Sequence, residues 1–294
     1  MTAQGLVFDR ALGRRRLRRA LAAGYPDFLL TRAVEDLAER LGTVLRQFEC
    51  VLDIATPLPL VAPALAGRAV QIVRMAEAEG GIADLVGDCE ALPFASARAD
   101  LAVSLLALHG VNDLPGALVQ IRRALKADGL FIGCLLGGRT LQELRQVLLQ
   151  AEAETSGGAS PRVAPFADLR DMGSLLQRAG FALPVVDSEL VTVRYRDILG
   201  LLRDLRAMGW TNALAQRSRM SLRRDTLMRA AALYAEQFAD EDGRLRASFE
   251  IVWLSGWAPH ESQQKPLRPG SAKARLADAL GVPEIGAGGK PDES

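Results

Sequence analysis

Few residues of this chain are suited to acid–base chemistry, and its two histidines are the clearest of them. His109 follows the apolar run 101–108, at the end of a predicted strand, where it can act as a general base or orient a substrate. The alternative is a structural histidine that packs under the next helix, and position alone does not separate the two roles. His260 stands beside Glu261 and Ser262, which favours a buried hydrogen-bonding role over catalysis.

The cysteines and the other nucleophiles give no sign of several common reaction classes. Cys50, Cys89 and Cys134 are odd in number and have no paired spacing, which favours reduced thiols in a reducing compartment. Neither histidine lies near a cysteine pair, so we predict no zinc-type metal site. The chain also lacks a Ser-His-Asp or Cys-His order, a phosphate-binding loop and a carboxylate pair. We therefore expect neither a hydrolase nor a kinase.

A ligand-binding loop is predicted after the first strand, although its residue types are unusual. The apolar run 50–54 predicts a buried strand, and in an open parallel sheet ligands bind beside the carboxyl ends of such strands. Glycines are common in these loops because they adopt positive φ and let backbone N–H groups approach the ligand. At the corresponding places this chain has Ala55, Pro57 and Pro59. Since proline fixes φ at about −65° and has no N–H group, the loop lacks the ordinary features of a cradle.

The elements that position these residues alternate between strands and helices. Apolar runs typical of buried parallel strands occur at 50–54, 69–73, 82–86, 99–106 and 130–135. Helical spacing of the apolar residues predicts helices at 25–48, 112–127 and 140–154. We expect Asp113 to cap the second of them, and Thr140 with Glu143 has the spacing of a capping box for the third. This order predicts an α/β fold with a doubly wound, Rossmann-like sheet.

The second half of the chain predicts a helical insertion between two late strands. Residues 183–195 are expected to form one or two strands, 197–239 are expected to be nearly all helical, and 248–257 predict a last strand. Asp197 can cap the insertion. Because the insertion could cover the open edge of a cleft, Tyr195 and Trp210 are candidate substrate-cleft residues. The alternative role for the tryptophan is core packing.

These patterns predict five segments. They are an N-terminal helical segment at 1–48 that is basic at its start, an α/β core at 49–195, a helical insertion at 196–240, a final core strand at 241–262 and a mobile tail at 263–294.

Composition predicts an ordinary globular protein, because 49% of the residues are hydrophobic, 24% are charged and the net charge is +1. We expect no nucleic-acid partner, and no apolar run is long enough to span a membrane. The local exception is the arginine run that begins at Arg10. It predicts either a solvated helix face or a docking surface for an acidic partner or an anionic membrane. The expected location is cytoplasmic, with peripheral contact at the inner membrane as the alternative. The oligomeric state is left open.

Three later motifs resemble class I S-adenosylmethionine-dependent methyltransferases. They are 87–94 (GDCEALPF), 100–109 (DLAVSLLALH) and 122–131 (RRALKADGLF), and they follow the opening Val-Leu-Asp at 51–53. The resemblance implies S-adenosylmethionine as cofactor, with Asp88 at the adenine amino group and an acidic residue at the ribose where this chain has Arg74. The implied cofactor-binding positions are Asp53, Ala55, Arg74, Asp88, Cys89 and Leu105.

A narrower resemblance extends over residues 8 to about 272. The segments 109–115 (HGVNDLP), 137–145 (GGRTLQELR), 160–166 (SPRVAPF) and 204–209 (DLRAMG) look like the complex I assembly-factor arginine hydroxylase family. That family implies action on an arginine of a respiratory NADH dehydrogenase subunit, which would be the protein partner. The carrier-protein O-methyltransferase of biotin synthesis shares the core motifs and is an alternative. A second alternative is a non-catalytic assembly or binding protein, which Ala55, Pro57, Pro59 and Arg74 favour.

Overall fold

The computed structural model describes residues 5–79, 82–166 and 169–263. The chain divides into two compact units, Met1–Pro259 and His260–Ser294. The described strands all lie in the first unit. They are β1 (Phe48–Ile54), β2 (Ala69–Ala76), β3 (Leu85–Val86), β4 (Ala99–Leu105), β5 (Leu125–Leu136), β6 (Ala182–Tyr195) and β7 (Leu245–Trp257). They form one sheet in the order β3-β2-β1-β4-β5-β7-β6.

The helices cover both faces of this sheet. They are α1 (Arg10–Ala23), α2 (Phe28–Gly42), α3 (Val61–Ala64), α4 (Leu114–Ala124), α5 (Gln142–Ser156), α6 (Leu169–Arg178), α7 (Ile198–Ala207) and α8 (Arg224–Phe238). One apolar core joins the sheet to α2, α5, α7 and α8. The other joins the sheet to α4 and α6. The predicted doubly wound α/β fold with a late helical insertion is therefore confirmed.

The strand pairing decides which residues meet at the ligand-binding edge. β1 pairs in parallel with β2 and with β4, whereas β7 runs antiparallel to β5 and β6. Parallel strands end at a common edge, so the loops that follow β1, β2 and β4 leave the sheet together. The register places Asp53 beside Arg74 on one side and beside Val103 on the other.

Several predicted boundaries are wrong, each for a local reason. The helix predicted at 25–48 ends at Gly42, since Phe48 is already the first residue of β1. The strand predicted at 82–86 is reduced to two residues, because it pairs with β2 only at the end of that strand. The region 197–239 holds two helices separated by an irregular segment at 208–223. By contrast, the prediction of one or two strands at 183–195 is confirmed, since one strand, β6, forms there.

The predicted capping box at the start of α5 is also wrong. The N-cap residue is Leu141, which has φ of 53° and makes no side-chain cap bond. Glu143 instead accepts a hydrogen bond from the Ser248 hydroxyl at 2.5 Å. Thr140 exchanges hydrogen bonds with the backbone of Glu250. Both side chains therefore fasten the start of α5 to β7, and this tertiary pairing replaces the local cap.

The other two predicted caps are confirmed. Asp113 accepts from the N–H of Gly116 at 2.8 Å and Asp197 accepts from the N–H of Gly200 at 2.7 Å. Among the described residues no helix is both long and apolar enough to cross a membrane. The tail predicted at 263–294 lies, apart from Gln263, outside the described residues, and the five predicted segments stay a prediction.

Candidate functional site

The loop that follows β1 is bound by the side chain of Arg74 at the end of β2. The Arg74 Nη2 atom donates to the carbonyl oxygens of Thr56 at 2.6 Å and Pro57 at 3.0 Å. Its Nη1 atom donates to the carbonyl oxygen of Ile82. Its Nε atom lies 3.3 Å from Asp53 Oδ2. With only 6% of its surface exposed, Arg74 uses its guanidinium to hold the loop against β2.

The backbone of this loop keeps one feature of a cradle and lacks another. Ala55 has φ of 61°, a left-handed conformation that glycine adopts at lower cost. The Ala55 N–H group, however, donates to the carbonyl oxygen of Met75 at 2.8 Å. Pro57 and Pro59 have no N–H group to offer. The loop therefore has the shape of a ligand-binding turn with few of its donors.

Asp53 is buried beneath the loop. Only 1% of its surface is exposed, and this burial raises the pKa of its carboxyl to about 6, while Thr56 and Arg74 act in the opposite direction. Leu105, at the end of β4, donates its N–H to Thr56 Oγ1 at 3.2 Å. Asp53 and Leu105 are thus brought together around Thr56, where they order the loop. Sequence reasoning missed Thr56.

The acidic residues beyond β2 and β3 hold arginine side chains of α1. Arg10 Nη1 lies 2.5 Å from Asp88 Oδ1 and 2.8 Å from Glu90 Oε2. Arg10 Nη2 pairs with Glu77. Arg14 pairs with the other carboxylate oxygen of Asp88. The carboxylate predicted to face an adenine therefore accepts from two guanidinium groups.

The electrostatics of Asp88 follow from these partners. Burial by itself would raise the pKa of its carboxyl, but hydrogen bonds from Arg14, the Glu90 N–H and Arg10 outweigh that effect and lower the pKa to about 2. Cys89 is buried next to it, and burial, together with Glu77, raises the pKa of its thiol. Cys89 is thus a protonated packing residue at neutral pH.

His109 lies in the short 3-10 helix Leu108–Gly110 after β4, where its ring contacts two aromatic rings. Its ring centroid is 5.4 Å from that of Trp210 and 6.1 Å from that of Phe166, both in edge-on geometry. Its Nδ1 atom is shielded from solvent and has no hydrogen-bond partner among the described residues. Burial lowers the pKa of His109 to about 4, so the imidazole is neutral at pH 7.

The two predicted cleft residues and His260 have different surroundings. Trp210 contacts His109, as described. Tyr195 is 8% exposed at the end of β6, and burial, together with Asp204, raises the pKa of its phenol. The predicted buried role of His260 is wrong, because this residue is exposed. Its Nδ1 atom lies 2.7 Å from Ser262 Oγ, a contact that two neighbouring residues make without a core.

The residues of this site do not fit S-adenosylmethionine in the way that the sequence resemblance implies. A cation, Arg74, stands where an acidic residue would accept from ribose hydroxyls, and it already binds the loop carbonyls. The carboxylates of Glu77 and Asp88 are paired with Arg10 and Arg14. In the sequence, the four-residue spacing of Arg10 and Arg14 puts both on one helix face, but it does not identify the acidic residues that they pair with.

Comparison with known proteins gives both a fold and a family. A family described as "Methyltransferase domain" matches residues 58–133. The solved structure of the YcgJ protein from Bacillus subtilis has a TM-score of 0.53 at 14% identity and covers 77% of this chain and 99% of its own. The solved structure described as a "putative methyltransferase" from Bacillus halodurans has a TM-score of 0.50 at 18% identity and covers 76% of this chain and 99% of its own. Together with the family match, these similarities show the class I methyltransferase fold.

Two curated relatives extend over most of the chain. The Methylovorus sp. protein named malonyl-[acyl-carrier protein] O-methyltransferase is 34% identical, over 88% of this chain and 92% of its own length. The Danio rerio protein named arginine-hydroxylase NDUFAF5, mitochondrial, is 39% identical, over 94% of this chain and 90% of its own length. Because the higher identity extends over nearly the whole of both proteins, this chain belongs to the NDUFAF5 arginine-hydroxylase family of methyltransferase-fold proteins.

Proposed function

We propose that this protein takes part in the assembly of a respiratory NADH dehydrogenase by binding one of its protein subunits. Membership of the NDUFAF5 family supports the process. The observation that carries the binding role is the arginine surface of α1. The six arginines of this helix are Arg10, Arg14, Arg15, Arg16, Arg18 and Arg19, and residues 10–23 contain no acidic residue.

The arginines of α1 separate into a bound set and a free set. Arg10 and Arg14 pair with acidic residues of the core. Arg16 donates to the carbonyl oxygens of Thr211 and Asn212 at 2.8 and 2.6 Å. The free set is Arg15, Arg18 and Arg19, which are exposed and have no ion-pair partner among the described residues.

The free set fits an acidic partner surface. Unpaired exposed arginines attract carboxylates and speed encounter, because complementary charge steers association. Arg16 lies in the same field, since burial and the neighbouring charges of Arg217 and Arg15 lower its pKa. We propose an acidic region of the subunit as the occupant. The sequence predicts a cytoplasmic location and leaves peripheral contact with the inner membrane open, and either agrees with this role.

The proposal contains no methyl transfer step, because the cofactor positions do not fit the methyl donor that this reaction needs, and it assigns no hydroxylation step. The same misfit disfavours a carrier-protein O-methyltransferase. In this account His109, Trp210 and Phe166 pack the region beneath the insertion. The helices of 196–240 are proposed as a second contact surface beside α1.

The proposal is tested by reversing the free set. A tagged Arg15→Glu, Arg18→Glu, Arg19→Glu variant is expressed beside the wild type, and NADH dehydrogenase subunits that co-purify are measured by quantitative mass spectrometry. We expect recovery to fall at least tenfold, since three attractive contacts become repulsive. The matched control, Arg98→Glu, Arg123→Glu, Arg178→Glu, changes the net charge equally at exposed arginines outside α1 and should keep wild-type recovery.

Three outcomes separate the alternatives. Equal loss in both variants would show that net charge, and not α1, governs capture. Unchanged recovery in the α1 variant would exclude the free set as the docking surface. If subunit recovery is unchanged but the α1 variant no longer sediments with vesicles of anionic lipid, the surface faces the membrane instead.

A further inference from the structure

Three acidic side chains from two loops converge on one arginine of α1. Glu77 follows β2, whereas Asp88 and Glu90 follow β3. All three form ion pairs with Arg10, whose side chain is only 12% exposed. Such a convergence of carboxylates would be destabilising without a cation, because like charges repel at short range. Arg10 is therefore the counter-charge of this group.

Further contacts bind α1, and the segment just before it, to the loops that carry the acidic group. Arg14 pairs with Asp88 from the next turn of α1. Glu90 also accepts from the N–H of Asp113 at 3.1 Å. Asn112 Oδ1 accepts from the N–H groups of Val7 and Phe8, just before α1, at 2.9 and 2.8 Å. The N-terminal segment is thus seated on the loops after β2, β3 and β4.

We infer that arginine side chains of this chain occupy the place that a nucleoside takes in this fold. Arg74 fills the loop half, which is formed by the loop after β1. Arg10 and Arg14 fill the acidic half, which is formed by Glu77, Asp88 and Glu90. Both halves then exclude an S-adenosyl compound while α1 is seated. Guanidinium–carboxylate pairs are charge-assisted, and each oxygen of Asp88 accepts from a different arginine, so these pairs bind Asp88 more strongly than the neutral amino group of an adenine would. The acidic half thereby becomes an anchor for α1, and this inference does not depend on any protein partner.

The first test restores the nucleoside site. The full chain is titrated with S-adenosylhomocysteine by calorimetry, and the wild type should give no binding at about 1 mM ligand. A variant with Ala55→Gly, Pro57→Gly, Pro59→Gly, Arg74→Glu, Arg10→Gln and Arg14→Gln should bind at least about 100-fold more tightly than the wild type. Adding Asp88→Ala should remove that gain.

Two results of this titration would overturn the inference. One is micromolar binding by the wild type that Asp88→Ala abolishes. The other is a variant with all six substitutions that has the circular dichroism spectrum of the wild type and still fails to bind. Because six substitutions can also impair folding, a second measurement uses milder variants and needs no ligand.

The second test measures the anchoring of α1 by hydrogen exchange. In an Arg10→Gln, Arg14→Gln variant the amides of α1 should exchange at least about tenfold faster, a change of about 1.4 kcal/mol in opening free energy, while those of β4 and β5 stay unchanged. The matched control is Arg15→Gln, Arg18→Gln, which removes two arginines of the same helix that form no ion pair among the described residues. Equal exchange in the two variants would contradict the anchor, whatever the result of the subunit-capture experiment.

Discussion

Two groups of arginines lie at the nucleoside place, Arg74 in the loop half and Arg10 with Arg14 in the acidic half. They differ in how much of their side chains is exposed to solvent. The side chains of Arg74 and Asp53 are 8% and 1% exposed. In the α1 group the side chain of Arg10 is 12% exposed, whereas those of Arg14 and Asp88 are 35% and 34% exposed. The first pair lies within the sheet edge and the second lies at the surface beside α1. Arginine–carboxylate pairing therefore stabilises the core at Arg74 and attaches α1 to the surface of the core at Arg14.

This difference has a thermodynamic consequence. Removing one member of a buried ion pair leaves the other charge without solvent or partner, whereas an exposed charge regains water. Arg74 should therefore contribute to the global free energy of unfolding. The contacts of Arg14 should contribute mainly to the local opening of α1, which can occur without unfolding of the sheet. Variants and pH can separate these two contributions.

The largest effect is expected from Arg74→Met. This change leaves Asp53 buried without its cation and removes the donors to Thr56 and Pro57, and we expect a loss of about 3–5 kcal/mol in the free energy of unfolding. Guanidinium chloride denaturation at pH 7 measures it. Arg123→Met on α4, an exposed position, is the control and should change stability by less than about 0.5 kcal/mol.

A second substitution sharpens this result. If the cost arises from the unpaired carboxylate, adding Asp53→Asn to Arg74→Met should recover part of the stability, and the two changes will not be additive. Additive losses would mean that the loop contacts of Arg74, and not its charge pairing, stabilise the sheet edge. A loss equal to that of the Arg123 control would contradict the core role altogether.

The region around Asp53 and Arg74 was easier to predict from the sequence than the attachment of α1. The strand runs are apolar and close to their final length, so β1 and β4 and the parallel edge at Asp53 could be predicted. The loss of glycines at Ala55 and Pro57 was visible as residue types. What Arg74 binds was not visible, because its acceptors are backbone carbonyls, which every sequence offers.

The attachment of α1 could not be predicted from the sequence. Arg10 and Asp88 are 78 positions apart, and an arginine run without acidic neighbours is typical of a solvated face. The capping box at Thr140 failed for the same reason, since β7 supplied better partners from far along the chain. Local patterns describe elements well, whereas polar side chains choose partners by tertiary proximity.

A smaller effect is expected at His109. Its pKa is about 4 in the folded protein, against about 6.5 when unfolded. Between these values the unfolded state binds more protons, so stability falls as the pH falls from about 6.5 to about 4. We expect the wild type to lose on the order of 1–2 kcal/mol more than His109→Gln between pH 7 and pH 5.

The wild type has to be compared with His109→Gln because the titration of Asp53 changes the free energy of unfolding in the opposite direction. Its pKa is raised to about 6, so its folded form takes up a proton first and stability rises as the pH falls from about 6 to about 4. This contribution is the same in the wild type and in His109→Gln, and it cancels in their difference. Parallel pH profiles of denaturation midpoint would contradict a neutral His109 shielded by Trp210 and Phe166.

The smallest effect is the release of α1 by acid, since it leaves the sheet intact. The pKa of Asp88 is lowered from 3.8 to about 2, so its contribution is complete above about pH 4 and is lost as the pH falls towards 2. Hydrogen exchange of α1, expressed relative to β4 in the same sample, should therefore rise between pH 5 and pH 3. In Asp88→Asn the ratio should already be high at pH 5 and change little. A wild-type ratio that stays constant would place the anchoring of α1 in the neutral contacts of Asn112, where no carboxylate titrates.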